Sequence, residues 1–169
     1  MITLTTQRFV LRPLQMGDIE ALHQLWTTPE VREFLWNGEI VSRERTASIV
    51  TESVRLFEEK RFGLWGGFRP GEDSLIGFAG FWYFRDPPEL ELLYGVANGL
   101  WRQGVATELA QAVVTYGFSV LHWSEIRAST DFPNRASQRV LEKLGFLLER
   151  RAVVDGLDTV FYRLLRSAV

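Results

Sequence analysis

The stretch from residue 99 to residue 107 combines glycines and small side chains at a spacing that suits anion binding. It reads Gly-Leu-Trp-Arg-Gln-Gly-Val-Ala-Thr, follows a predicted strand over 90–96 and opens a segment whose apolar residues recur at helical spacing. The first turn of a helix has amide N–H groups without intrahelical partners, at the positive end of the helix dipole. Gly104 permits a close approach of the backbone. Such a turn can hold a phosphate through main-chain amides.

Two other phosphate loops match this stretch poorly. Gly99 and Gly104 stand in the frame of a nucleoside-triphosphate loop, but Val105 and Ala106 occupy the positions of its Lys and Ser or Thr. A dinucleotide loop needs a third glycine in register, which is absent. The residues therefore favour a diphosphate held by backbone amides. A plain strand-to-helix turn that binds nothing is the alternative.

Three stretches together resemble the GNAT acetyltransferase superfamily. Residues 101–108, Trp-Arg-Gln-Gly-Val-Ala-Thr-Glu, are similar to its acyl-coenzyme A loop, Q/R-x-x-G-x-G/A, with a tryptophan first as in the RimJ/RimL branch. Residues 134–146 resemble that branch's N-x-x-S-x-x-V-L-E-K-L-G-F. Residues 6–13, followed by Asp18, resemble its T-E-R-L-x-L-R-P…D. The three matches occur in the family's order over most of the chain.

The resemblance implies both a fold and an activity. The fold is α/β, a mixed and mostly antiparallel twisted sheet flanked by helices, with a V-shaped split between the fourth and fifth strands into which the cofactor fits. The activity is transfer of the acetyl group of acetyl-CoA to a primary amine, either a protein N-terminal α-amine or a small-molecule amine. Since the chain has no cysteine, we expect direct attack in a ternary complex. A module that senses acyl-CoA without turnover is the alternative, and a nucleoside-triphosphate binder is the third hypothesis.

The resemblance also assigns residues to the cofactor, and no metal is expected. The backbone of Tyr94, Gly95 and Val96 would pair with the pantetheine arm as another strand would. The amides of the loop would hold the diphosphate; these belong to Arg102, Gln103, Gly104, Val105, Ala106 and Thr107. Asn134 would hydrogen-bond the pantetheine, although capping the helix that follows explains an asparagine there equally well.

Two side chains are predicted to carry the proton transfers. By the same resemblance, Ser137 would hydrogen-bond or protonate the departing thiolate, near a helix N-terminus that also favours negative charge. A solvent-facing or capping hydroxyl is the alternative for Ser137. The amine must lose a proton before it attacks. Glu91 on the cofactor strand is the preferred proton acceptor and Asp131 the other candidate, while a solvated Glu91 at a sheet edge is the alternative. The amide of Val96 would meet the oxyanion.

The elements that must position these residues follow from periodicity and turn signals. Helices are predicted after Asp18, Thr28 and Ser42, after the loop, and over 134–144. Strands are predicted over 8–14, 62–68, 75–84, 90–96, 125–130, 146–154 and 160–165. The strand and helix around the loop form a crossover between an antiparallel meander and the last strands. The aromatic residues Phe34, Trp36, Phe81, Trp82 and Tyr83 could line an acceptor groove or belong to the core.

Composition bounds the remaining classes. The chain of 169 residues, with 46% hydrophobic residues, is predicted to form a single domain over 1–169. Its net charge of −2 argues against nucleic-acid binding. The absence of cysteine excludes disulfides and thiolate metal sites. With no signal peptide or long apolar window, no membrane association and a cytoplasmic location are expected. Either a monomer or a homodimer is compatible with the sequence.

Overall fold

The helices and strands follow one another along the chain in the order that the sequence predicts, with one short strand, β1, in addition. The computed structural model describes residues 2–167. The strands are β1 (Leu4–Thr5), β2 (Val10–Pro13), β3 (Leu64–Phe68), β4 (Gly77–Phe84), β5 (Glu89–Val96), β6 (Glu125–Asp131), β7 (Leu147–Val154) and β8 (Leu157–Leu165). The α-helices are α1 (Ile19–Thr27), α2 (Pro29–Arg32), α3 (Arg43–Lys60), α4 (Val105–Ser119) and α5 (Arg135–Lys143).

The strands form two sheets that separate at the predicted place. One sheet has the order β1-β2-β3-β4-β5 and the other β6-β8-β7, and each pairing recorded between described residues is antiparallel. β5, α4 and β6 form the predicted crossover. No ladder joins β5 to β6 within residues 2–167, so one edge of β5 is open. The sequence did not predict the two-residue β1, so β5 and β6 are the fourth and fifth predicted strands. The split lies between them, as predicted, and is confirmed.

Helices cover both faces of the larger sheet and bury its apolar side chains. Leu109 and Val113 of α4 pack with Trp65 in one cluster, and Trp26 of α1 packs with Phe78 in the other. Each of these side chains is almost completely buried, which contributes about 1.5–3 kcal/mol apiece to the folded state. The sheet that carries the open edge of β5 is therefore held rigidly from both sides.

Several boundaries differ from the prediction, and those at the β7–β8 turn and at the start of α5 have clear local reasons. The Asp155-Gly156 turn joins β7 and β8 directly, so β8 begins at Leu157 rather than at Val160. β4 begins at Gly77 rather than at Leu75. α5 begins at Arg135 because the side chain of Asn134 caps it, accepting a hydrogen bond from the amide of Ser137.

Candidate cofactor and acceptor site

The loop before α4 presents free amides, as its composition predicts. Arg102 and Gly104 both have left-handed backbones, with φ of 63° and 73°. The amide of Glu108 donates to the carbonyl of Gly104 over 3.0 Å, and this is the first helical bond of α4. The amides of Val105, Ala106 and Thr107 in the preceding turn have no acceptor inside the helix. Three of the six residues predicted to hold the diphosphate thus lie in the first turn of α4.

Two residues near the N-terminus hold this loop in place, and sequence reasoning missed their role. The guanidinium of Arg8 donates to Glu108 on α4 over 2.7 Å and to the carbonyl of Gln103 over 3.0 Å. The hydroxyl of Thr6 and the backbone amide of Arg8 donate to the second oxygen of the same carboxylate, over 2.7 and 2.8 Å. This set of contacts, which we call the loop latch, consists of Thr6, Arg8, Gln103 and Glu108. Because Glu108 accepts these bonds, its pKa lies below its usual range despite the opposing effect of burial.

The open edge of β5 directs alternate backbone groups into the split. Val96 faces Gly77 and Tyr94 faces Ala79 in the ladder with β4, and the amide of Ala97 donates to the carbonyl of Ile76. This pattern makes both positions non-hydrogen-bonded pairs, so the N–H and C=O groups of Tyr94 and Val96 point away from β4. The edge therefore offers the hydrogen-bonding groups that an added strand, or the two amides of a pantetheine arm, would need.

Two residues at this edge, Gly95 and Trp101, have structural explanations. The backbone of Gly95 is directed toward β4, and a Cβ on it would lie 2.7 Å from the ring of Phe78, so glycine is required there. The indole N–H of Trp101 donates to the carbonyl of Val96 over 3.1 Å. The loop is thereby bonded to the end of β5, and the N–H of Val96 is left facing the split.

A hydroxyl pair lies where α5 meets β5. The Oγ of Ser137 lies 2.7 Å from the hydroxyl oxygen of Tyr94, which also donates to the carbonyl of Ser137 over 3.2 Å. Burial raises the pKa of Tyr94, so its hydroxyl stays protonated and able to donate. Asn134 uses its Oδ1 to cap α5, which leaves its amide N–H groups for another partner. The tyrosine side chain was not singled out from the sequence, where only its backbone was assigned.

Glu91 is buried rather than solvated, so the alternative of a solvated carboxylate is wrong. Its side chain is 3% exposed because β6 packs over it. One carboxylate oxygen contacts the guanidinium of Arg85, and the other accepts a hydrogen bond of 2.6 Å from the hydroxyl of Ser129 on β6. Burial raises the pKa of Glu91, and the contacts with Ser129 and Arg85 oppose that shift. Glu91 therefore bridges the two sheets at the split.

A cavity of about 240 Å³ brings several predicted residues together at the split. Glu91, Tyr94, Asn134 and Ser137 line it, and so does Asp131. Gly95, Val96 and the loop from Arg102 to Thr107 lie outside its lining. The structure thus separates the predicted residues into a loop with free amides and a cavity with titratable side chains, joined by the edge of β5.

The aromatic residues considered for an acceptor groove divide between cavity and core. Phe34 and Trp36 line the cavity together with Phe84, which was not predicted. Phe81 is 1% exposed and belongs to the core, Trp82 packs against it, and Tyr83 is exposed. Neither histidine lines the cavity, and the Nδ1 of His23 lies 3.1 Å from the hydroxyl of Thr46.

Within residues 2–167, no group of His, Cys, Asp or Glu side chains is arranged to hold a metal ion. In the same range, no helix has the length and apolar character needed to cross a membrane.

Comparison with known families decides what this arrangement belongs to. Residues 8–147 match the family model described as an acetyltransferase (GNAT) domain. The chain belongs to the GNAT acetyltransferase family. The match includes the loop, the edge of β5 and the hydroxyl pair, and the predicted resemblance is confirmed. As a GNAT N-acetyltransferase, the protein is an enzyme that uses acetyl-CoA to acetylate amines.

Relatives and solved structures agree with this assignment. The uncharacterized N-acetyltransferase YoaA of Bacillus subtilis (strain 168) is 35% identical over 147 residues, covering 86% of this chain and 83% of YoaA. FsC-acetyl coenzyme A-N(2)-transacetylase of Aspergillus fumigatus is 30% identical over 155 residues, covering 85% of this chain and 64% of that protein.

Two solved structures show the same fold. An acetyltransferase from Agrobacterium tumefaciens has a TM-score of 0.84 at 24% identity, covering 98% of this chain and 95% of its own. RimL, a ribosomal alpha-N-protein acetyltransferase in complex with coenzyme A, has a TM-score of 0.80 at 19% identity, covering 97% and 98%.

The free groups of this chain fit the ligand that the family uses. Coenzyme A carries a diphosphate and an arm with two amides. The turn over 105–107 supplies amides without helical partners. At the edge of β5, Tyr94 supplies an N–H and a C=O, and Val96 supplies an N–H.

Proposed function

We propose that this enzyme transfers the acetyl group of acetyl-CoA to a primary amine by direct attack in a ternary complex. The acceptor is a protein N-terminal α-amine or a small-molecule amine. The observation that supports this most is the open edge of β5, which ends at the loop in one direction and borders the cavity in the other. A thioester lying along this edge would reach the cavity where Ser137 and the carboxylates are.

In this proposal, the chain binds the donor mainly through its backbone. The amides of residues 102–107 hold the diphosphate. The N–H and C=O of Tyr94 pair with the pantetheine arm, while the carbonyl of Val96 stays bonded to Trp101. Gly95 keeps the strand free of a side chain that would displace Phe78. Asn134 donates to the arm with the amide N–H groups that capping leaves free. The N–H of Val96 donates to the oxyanion that forms when the amine adds to the thioester carbonyl.

The proposal assigns the departing thiolate to the hydroxyl pair. When the C–S bond breaks, Ser137 donates its proton to the sulfur and receives one from Tyr94. The attacking nitrogen releases a proton to solvent, and a proton from solvent then restores the hydroxyl of Tyr94. The 2.7 Å separation of the two oxygens supports such a transfer. The start of α5 adds stabilisation of the negative sulfur.

The proposal assigns the first proton of the amine to a carboxylate of the cavity. Glu91 and Asp131, the two candidates from the sequence, both line it. An acidic group at this end suits an acceptor that arrives as an ammonium ion, and the amine becomes nucleophilic only after that proton is removed.

The names of similar proteins bear on the identity of the acceptor. RimL is named for an alpha-N-protein activity and FsC transacetylase for an N(2) position, so the names of similar proteins do not single out one acceptor. A single domain over 1–169, a cytoplasmic location, the absence of nucleic-acid and membrane partners, and a monomeric or homodimeric state stay predictions of the sequence.

The experiment that tests the proposal measures thiol release from acetyl-CoA with a panel of small primary amines and short peptides. Acetylated products are identified by mass spectrometry, and coenzyme A affinity is measured separately by calorimetry. We expect amine-dependent release without a lag or an acetylated enzyme. Tight coenzyme A binding with no release from any amine, or an acetylated enzyme that precedes product, would contradict direct transfer.

A further inference from the structure

Three carboxylates line the cavity, and they differ in the partners they already have. They belong to Glu91, Asp131 and Asp155. Both oxygens of Glu91 are engaged, one by the guanidinium of Arg85 and one by the hydroxyl of Ser129. A carboxylate that is 3% exposed and is held by a guanidinium and a hydroxyl gives an incoming ammonium little access. Glu91 therefore serves better as the bridge between the sheets.

Asp155 occupies the tip of the β7–β8 hairpin. It has a left-handed backbone, with φ of 49°, and its side chain is exposed. Asp is among the residues that tolerate this conformation in a two-residue turn. Water can satisfy an exposed carboxylate, so the turn alone accounts for this residue.

Asp131 differs from both because it is partly buried and has no partner. It is the last residue of β6, and its backbone carbonyl accepts the amide of Asn134 over 2.9 Å. Its carboxylate makes no hydrogen bond or ion pair with any residue of the described range 2–167. The hydroxyl of Thr159, the residue opposite in the ladder, donates instead to the carbonyl of Leu157. Burial raises the pKa of Asp131, with no opposing contact. A partly buried charge without a partner is costly unless a ligand supplies one.

The wall on the α2 side of the cavity is apolar and held in an unusual conformation. Trp36, Asn37 and Gly38 form a left-handed turn, with φ of 51°, 58° and 75°. The indole of Trp36 packs edge-on against Trp26, with ring centroids 5.1 Å apart. Its N–H is buried and has no partner within the described residues. Non-glycine residues adopt this backbone at a cost, and such strain concentrates at ligand sites.

We propose that Asp131 binds the ammonium group of the acceptor and takes its proton, while Trp36 and Phe34 contact the acceptor's carbon skeleton. The inference rests on the proposed function. The N–H bond breaks and its proton passes to the Asp131 carboxylate. The nitrogen lone pair forms the C–N bond, the nitrogen loses its second proton, the C–S bond breaks, and Ser137 protonates the departing thiolate. The second nitrogen proton replaces the one given up by the Ser137–Tyr94 pair. Asp131 then releases its proton to solvent, so the overall reaction yields the amide, coenzyme A and one proton.

The charged side chains of the cavity lining define the class of acceptor. Arg85 is the cation in the described lining of the cavity, and both Glu89 and Glu91 engage it. No free cation of that lining is left to bind an α-carboxylate. The acceptor is therefore a primary amine on an apolar or aromatic group without a neighbouring carboxylate. Phenethylamine fits this description, and phenylalanine, which differs from it by the carboxylate, does not.

The test compares Asp131→Asn with Glu91→Gln and Asp155→Asn, using two acceptors of different basicity. For phenethylamine at neutral pH, we expect kcat/KM of Asp131→Asn to fall by about a hundredfold, the lower end of what a general base contributes. For trifluoroethylamine, which is already neutral at that pH, the loss should be at most a few-fold. Asp155→Asn should match the wild type, and phenylalanine should be a poor acceptor for all of them. Trp36→Leu should raise KM for phenethylamine without lowering kcat.

Several outcomes would overturn the inference. The first is a loss of kcat/KM in Asp155→Asn or Glu91→Gln that depends on amine basicity, while Asp131→Asn keeps its activity. The second is an equal loss of kcat/KM in Asp131→Asn with both amines. The third is acetylation of phenylalanine as fast as that of phenethylamine. If the wild type acetylates no amine, the proposed function fails. Calorimetry of phenethylamine with the coenzyme A complex then still decides the role of Asp131: binding that disappears in Asp131→Asn supports it, and equal binding refutes it.

Discussion

The two ends of the split between the sheets are built in opposite ways. At the donor end, the loop before α4 exposes main-chain amides, and the side chains around it, Arg8 and Glu108, are bonded to each other. At the acceptor end, side chains line the cavity, and Asp131 and the indole N–H of Trp36 have no partner in the described chain. Main-chain amides bind a diphosphate whatever the surrounding side chains are. In the proposed function, we therefore expect the donor end to be shared among proteins of this fold and the acceptor end to carry the selectivity of this chain.

The largest effect expected from breaking the donor end alone comes from Gly104→Val. A left-handed backbone costs a side-chain-bearing residue about 1–2 kcal/mol, and a β-branched residue is among the least suited to it. We expect coenzyme A affinity, measured by calorimetry, to fall by about tenfold or more. The KM for the acceptor amine should stay within about twofold, since the loop lies outside the cavity. A rise confined to the acceptor's KM would mean that the two ends are not separate.

Ser137→Ala tests the contact between the two ends, where the thiolate leaves. We expect kcat to fall by about tenfold at neutral pH, below the usual range for acid catalysis because a thiolate is a good leaving group. The deficit should shrink above about pH 8.5, where a free thiolate no longer needs a proton. Tyr94→Phe, which keeps the ring, should show a smaller deficit of the same kind. A deficit independent of pH would assign Ser137 a structural role.

Arg8→Ala sharpens the comparison by weakening the latch without touching the loop's amides. Arg8 holds the loop through the carbonyl of Gln103 and through Glu108. Losing these charge-assisted bonds should raise the KM for acetyl-CoA by about fivefold, since each contributes about 1.5–3 kcal/mol at most and both are partly exposed. Acetyl-pantetheine, which lacks the diphosphate, should show no change.

The control for Arg8→Ala is Arg55→Ala. Arg55 pairs with Glu52 and Glu59 on the exposed face of α3, away from the loop, and surface ion pairs of this kind contribute little. Arg55→Ala should leave the KM values for acetyl-CoA and acetyl-pantetheine unchanged. If Arg8→Ala weakened the use of both thioesters equally, the latch would act on the whole fold rather than on the loop.

The sequence predicted the local geometry of the donor end better than that of the acceptor end, and the reason is distance along the chain. The loop, its glycine and the cap at Asn134 are local features, readable within a few residues. The latch joins residues a hundred positions apart, and the Ser137–Tyr94 pair joins two elements that meet only in the folded sheet. Glu91 was identified, but its burial and its pairing with Arg85 depend on the packing of β6, which no local pattern shows.

The smallest expected effect concerns the stability of the acceptor end. Burial raises the pKa of Asp131 in the folded state, so the folded chain holds that proton more tightly than the unfolded chain does. Stability from this group is present below the unfolded pKa and is lost as the pH rises through the folded pKa. Asp131→Asn should therefore unfold at a higher temperature than the wild type at neutral pH. Well below the unfolded Asp pKa of about 3.9, where the Asp131 carboxyl is protonated in both states, the variant and the wild type should unfold alike. A lower melting temperature at neutral pH would mean that Asp131 has a stabilising partner.

The most direct test of the central claim is residue-resolved amide hydrogen exchange, measured by NMR with and without coenzyme A. The account predicts that coenzyme A slows exchange at the amides of residues 102–107 and of Tyr94 and Val96. The amide of Gly95, already directed toward β4, should change little. Protection confined to the side-chain-lined cavity, with the loop and the edge of β5 exchanging as fast as in the free enzyme, would contradict it.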